Sequence, residues 1–184
     1  KVSADFILVT HGHGDHVGDT VEIAKRTGAL VISNFEIANW FDSKGVKHTH
    51  GQHIGGGFHH PFGYLKLTQA LHGSAMPDGA YVGNPAGLLL TTLEGKKVYL
   101  AGDTGLFGDM QLIGDEGLEL AVLPIGDNFT MGPEDALRAV KLLRPRHVLP
   151  IHYGTFGLIS QDASAWGEQV KAETGAVVHV LLPG

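Results

Sequence analysis

The stretch "LVTHGHGDHVGD" (residues 8–19) crowds three histidines and an aspartate into six positions, interleaved with glycines and directly behind an apolar run. That run, "DFILV" (5–9), is short and nearly continuous, the pattern of a strand buried on both faces. In an extended segment residues two apart point the same way, so His11 and His13 can grip one ion. Asp15 and His16, past a bend, can turn toward a second. Gly12 and Gly14 are read as permitting that bend, because glycine tolerates dihedrals that a Cβ forbids.

Outward from the cluster, Val17, Val21 and Ala24 recur at helical spacing and Gly28 supplies a stop, which predicts one helix from Asp15 to Thr27. "ALVIS" (29–33) is the next strand, and "FEIANWFDSKG" (35–45) reads as a short amphipathic helix. Residues 46–63 are rich in Gly and His and predict short strands or loop, whereas "YLKLTQALH" (64–72) alternates apolar with polar and ends at a histidine. "AGLLLTTLEGKKVYLAGD" (86–103) predicts a hairpin whose second strand ends at Asp103. "LELAVLPIG" (118–126) is a strand, followed by a helix with Pro133 at its first position, Glu134 and Asp135 in its first turn, and a stop at Arg144-Pro145. "HVLPIH" (147–152) is a buried strand that again ends at a histidine. A helix over 161–174, apolar at Ala165, Val170 and Ala172, precedes a final strand "AVVHVLLP" (176–183). Helices alternating with strands, around a strand-rich middle, give a mixed α/β class with helices packed on sheets.

The 184 residues, 43% of them hydrophobic, suffice for one substantial core, and residues 1–184 are read as a single domain. A net charge of −6 argues against nucleic-acid backbones and anionic membranes as partners. With no cysteine, disulfides, thiolate metal sites and Cys nucleophiles are excluded, which leaves His and carboxylates as metal ligands. No apolar stretch approaches the ~20 residues that span a bilayer and no basic leader opens the chain, so the expectation is a soluble, cytoplasmic protein.

Four predicted strands thus end in His11, His13, Asp15 and His16, then His72, Asp103 and His152. Strand ends that share one sheet edge bring distant residues together, and seven ligands suit two metals. "THGHGDH", "ALHGS", "LAGDTG" and "PIHYGTF", in this order, resemble the metal-binding motifs of the metallo-β-lactamase superfamily. "LPIGDNFTMGPEDA" further resembles the predicted metal-dependent hydrolases related to L-ascorbate-6-phosphate lactonase. The resemblance covers nearly the whole chain and implies an αββα sandwich. It also implies that His11, His13 and His72 bind a first metal, that Asp15, His16 and His152 bind a second, and that Asp103 bridges them. Family members carry several dozen residues ahead of the metal loop, including a short "GH" motif near the site. This chain enters just before that loop, so the resemblance implies absent N-terminal strands, either truncated or supplied by a separate N-terminal fragment as partner, and a bare sheet edge.

The implied chemistry is hydrolysis of an ester-like bond, a lactone or phosphoester, in a small and anionic substrate. Two divalent ions, Zn2+ or Mn2+, lower the pKa of a shared water from ~15.7 toward about 7. Asp15 is expected to orient that nucleophile and shuttle a proton. A ribonuclease Z-like phosphodiesterase and a non-catalytic metal-stabilised binding module stay open as alternatives, and a homo-oligomer is allowed. His48, His50, His53, His59 and His60 lie in the polar stretch and are expected to be solvent-exposed, with His53 nearest the pocket. His147 and His179 read as structural. The loop "GDNFTMGPEDA" is either a plain strand-to-helix turn or a donor of backbone N–H groups to an anion. Tyr153 and Thr155 are candidates to touch substrate, and Trp40, Phe41 and Trp166 read as core.

Overall fold

The computed structural model describes residues 2–181. Two sheets carry the fold. The first is three parallel strands in the order β1-β2-β3: β1 (Phe6–Leu8), β2 (Leu30–Asn34) and β3 (Thr49–Gln52). The second has seven strands in the order β10-β9-β8-β7-β6-β5-β4. Its members are β4 (Gly57–His60), β5 (Gly63–Gln69), β6 (Ala86–Thr92), β7 (Lys97–Leu100), β8 (Leu120–Pro124), β9 (His147–Ile151) and β10 (Val177–Val178). Because β5 and β7 are each antiparallel to β6, and β8, β9 and β10 continue parallel to β7, five strands run one way, and β5, β7, β8 and β9 end along one edge.

Three apolar clusters define the layers. Val9, Val31 and Ile7 face α2 (Thr20–Thr27) and α3 (Phe35–Ser43), packing with Ala24, Ile37 and Phe41. The alternate residues, Ile32 with Phe6 and Leu8, face Leu65, Leu67 and Leu88 of the second sheet. On that sheet's other side, Tyr99, Ala121, Leu123 and Val148 pack against α4 (Met110–Gly114), α5 (Pro133–Leu143) and α6 (Ala163–Glu173). The order helix, sheet, sheet, helix is the expected αββα sandwich. β1 stands at the end of its sheet. Among the described residues no helix is long and apolar enough to cross a membrane.

Several local expectations change. The helix expected over 15–27 is two, α1 (Gly14–Val17) and α2, because Gly18 takes a left-handed φ of 44° and turns the chain between them. On α6 the buried stripe is Ala163, Trp166, Gly167 and Val170, and Ala165 and Ala172 face water. Trp166 packs against α5 from there. Trp40 is half-buried, its Nε1 donating to Asp78 Oδ2 at 3.0 Å. β10 covers only the front of the expected last strand, whose positions 182–183 lie outside the described residues.

His60 departs from its expected exposure: it is buried where the two sheets meet, its Nε2 3.0 Å from Gln52 Oε1, while Gln52 Nε2 donates to Leu65 O. Burial, and then the neighbouring His50, push this imidazole below its ordinary pKa of 6.5. The native state therefore declines a proton that the unfolded chain accepts, and stability falls as pH drops through about 6.5. Urea unfolding between about pH 7 and 5 is expected to cost the wild type more than His60→Gln, by up to ~1.4 kcal/mol per pH unit. Equal losses would place the proton uptake elsewhere. A Cβ added to Gly114 would lie 2.5 Å from Leu142 O and 2.7 Å from Leu143 O, so Gly114→Ala should lower stability by about 1–3 kcal/mol, read from its urea midpoint.

Candidate metal centre

Each candidate ligand sits just beyond a strand. His11 follows β1 by three residues, His72 follows β5 by three, Asp103 follows β7 by three, and His152 directly follows β9. Both sheets contribute; the His11 segment is braced on the start of β6, and the His72 and Asp103 segments are tied to each other. Ala86 N donates to Thr10 O at 2.9 Å, Leu71 N to Thr104 Oγ1 at 2.9 Å, and Gly105 N to Leu71 O at 3.0 Å.

The metal loop is built differently from the dihedral reading of its glycines. Neither Gly12 nor Gly14 has a positive φ. Gly12 is required by contact: a Cβ there would lie 2.7 Å from Met76 Sδ and 2.9 Å from Val82 Cγ2. Its N–H donates to Ser74 Oγ at 3.1 Å, docking the loop on the 74–82 segment. His13 caps α1 in extended conformation, and Asp15 and His16 project from that single helical turn.

All seven predicted residues come together. Three overlapping triads each place one donor atom per residue within 4.8 Å of the others: His11, His13 and His72; His11, His16 and Asp103; Asp15, His16 and His152. Asp103 is the hub, at 3% exposure. Its Oδ2 lies 3.1 Å from His152 Nε2, 3.2 Å from His16 Nε2, 3.5 Å from His72 Nε2 and 3.9 Å from His11 Nε2. His13 Nδ1 lies 3.1 Å from His11 Nε2 and 3.2 Å from His72 Nε2. Asp15, by contrast, is 65% exposed at the rim, with Oδ2 3.4 Å from His16 Nε2 and 3.8 Å from His152 Nε2.

Electrostatics fit cation binding. Burial raises the Asp103 pKa, but the His152 and His16 contacts outweigh it and hold the carboxyl well below its usual range. Burial, with His16 next in weight, drives His11 down to about 3, and burial also lowers His72. Contact with Asp103 raises His152. Buried imidazoles held neutral offer lone pairs beside an ionised carboxylate, which is what a divalent ion requires. Asp103 Oδ1, His16 Nε2 and His152 Nδ1 are buried without a well-formed hydrogen bond. Such orphans suit a donor set arranged for something other than itself.

Five of these residues, His13, Asp15, His72, Asp103 and His152, line a cavity of about 380 Å³ whose remaining wall is Phe129 and Phe156. The two phenylalanines were not foreseen. The available signal was an apolar residue in each of the polar loops that follow β8 and β9. Tyr153 instead packs on the helix-side core and Thr155 is exposed outside the lining. His53 stands exposed against Phe35, and His48, His50 and His59 also lie outside the cavity. His147 Nδ1 pairs with His179 Nε2 at 3.0 Å.

A family model described as Beta-lactamase superfamily domain matches residues 2–153. A UPF0173 metal-dependent hydrolase of Heliobacterium modesticaldum is 54% identical over 191 residues, spanning 100% of this chain and 79% of the relative. One from Thermus thermophilus is 52% identical over 184 residues, spanning 100% of this chain and 80% of the relative. Among solved structures, Igni18, a metallo hydrolase from the hyperthermophilic archaeon Ignicoccus hospitalis, is 42% identical with a TM-score of 0.89, covering 98% of this chain and 77% of that one. The chain belongs to the beta-lactamase superfamily and, within it, to the UPF0173 family, and is a metal-dependent hydrolase.

Proposed function

We propose that the chain holds two divalent ions, zinc or manganese, and hydrolyses an ester-like bond, a lactone or phosphoester, in a small substrate. The observation that carries this reading is the packing of three donor triads around one buried carboxylate. His11, His13 and His72 would hold the first ion, Asp15, His16 and His152 the second, with Asp103 shared. Imidazole and carboxylate donors suit both metals. When bound, the ions supply Lewis acidity that polarises the scissile bond and brings water within reach of deprotonation near neutral pH.

The protein's own groups do the rest. Asp103, pinned among four imidazoles, fixes the relative position of residues from both sheets. Asp15 differs in being open to solvent at the cavity rim, so its free oxygen can orient water and carry a proton to the leaving group. No Lys or Arg lines the cavity among the described residues, and the chain is acidic overall, which favours a small substrate over a polynucleotide. Among small substrates it favours the lactone, as does the likeness of "LPIGDNFTMGPEDA" to the ascorbate-phosphate lactonase relatives.

Stripping with EDTA should abolish hydrolysis, and adding back Zn2+ or Mn2+ should restore it, with two ions per chain by elemental analysis. Asp103→Asn should bind fewer than two. Asp15→Asn should retain the first ion while kcat falls about 10²- to 10⁴-fold, the usual range for losing a proton-transfer group. Fully loaded protein that turns over no lactone, thioester or phosphodiester would overturn the ester-like substrate class.

A further inference from the structure

Phe129 and Phe156 are 48% and 50% exposed, yet they sit beside the histidine–aspartate cluster. Their ring centroids are 6.3 Å apart at 59°, so they touch as a tilted pair and form one apolar wall. They come from different loops, the one after β8 and the one after β9.

Both loops are firmly anchored below their tips. In the first, Asp127 and Asn128 take positive φ values of 64° and 52°, a conformation that non-glycine residues adopt at a cost. The loop closes through Asp127 N to Met131 O at 3.1 Å, and Met131, fully buried, donates its N–H to Thr104 O at 2.9 Å. In the second, His152 has a φ of 55°, and Gly154 N donates to Ile159 O at 2.8 Å above a buried Ile159. The two are bound to each other as well: Gln161 Nε2 donates to Gly126 O, and a Cβ on Gly126 would collide with His152 O. Strained, cross-braced loops thus hold two aromatic rings in water at the mouth of the site. Paired exposed rings on a rigid base, facing a cavity, are a surface prepared for an apolar ligand group.

The anion-binding alternative for this loop is weaker. Asp127 sets its own carboxyl against Gly132 at the start of α5, and Glu134 and Asp135 occupy the first turn. Protein carboxylates already stand where an anion would dock.

We propose that Phe129 and Phe156 form an apolar subsite beside the histidine–aspartate cluster that receives an alkyl or aryl arm of the substrate. The class selected is then an uncharged ester or lactone bearing such an arm. As a statement about substrate this rests on the ester-hydrolase reading above, and the test separates the two.

The probes are acetohydroxamate and octanohydroxamate, metal-chelating heads that differ only in hydrocarbon length, titrated calorimetrically into the metal-loaded protein. A buried methylene contributes about 0.8 kcal/mol, a fourfold change in affinity, and a half-exposed wall should give roughly twofold for each. Wild type should therefore prefer the longer compound by ~30-fold or more. The ratio should shrink toward unity in Phe129→Ala/Phe156→Ala and recover in Phe129→Leu/Phe156→Leu. Because it is taken within one variant, partial misfolding cancels. Equal affinities in the wild type, or a ratio unchanged by the alanines, overturns the subsite. In parallel, kcat/KM is compared for γ-butyrolactone and a γ-hexyl lactone. A large hydroxamate ratio with no turnover keeps the subsite and sinks the lactone reading of the substrate, whereas turnover blind to the hexyl arm does the reverse.

Discussion

The structure depends on placing one ionised carboxylate, Asp103, out of water. Moving such a group into the interior costs several kcal/mol unless partners offset it. Here the partners are imidazoles from both sheets, and burial keeps two of them from supplying full positive charge: His11 is driven down to about 3 and His72 is lowered too, whereas contact with Asp103 raises His152. The cluster is short of cationic charge and rich in nitrogen lone pairs. An ionised carboxylate set among imidazole lone pairs is the environment a divalent cation requires.

The sandwich satisfies this constraint by arithmetic of direction. In the second sheet β5, β7, β8 and β9 end along one edge, and the end of β1 meets them from the first. Rigid strands place the backbone, and short post-strand segments aim the side chains. Close backbone approach fixes those segments, as at Gly12 against Met76 and Val82 and at Gly102, where a Cβ would lie 3.0 Å from Thr10.

The chemistry was legible in the sequence because metal ligands must be particular residue types and strand ends are marked by apolar runs. All seven candidate positions could be named from the strand ends and the family resemblance, and the structure brings their donor atoms together, while the β-hairpin over 86–103 and the helix at Pro133 followed from local patterns. What escaped depends on tertiary contact. The break at Gly18 is a single residue inside a good helical period, and α4 is five residues long, too short for periodicity to register. His60 resembled its exposed neighbours until the Gln52 contact across the sheets buried it. Gly12 was assigned the wrong duty: conformational freedom can be read from residue type, whereas a neighbour 62 residues away in sequence cannot.

Phe129 and Phe156 escaped for the same reason, and they suggest how labour is divided in this site. Most of the candidate ligands sit on segments packed at strand ends between the two sheets, with Asp15 at the exposed rim. The rings sit at the tips of loops whose bases are buried but whose exposed residues bear on little else. Strain at Asp127, Asn128 and His152 is concentrated where the two regimes meet. That is the arrangement expected if the sheet edge fixes the reaction and the loops choose the substrate. Change at the tips can then alter what the cavity accepts without touching the carboxylate and imidazoles beneath, because the loop anchors at Met131 and Ile159 do not involve the tip side chains.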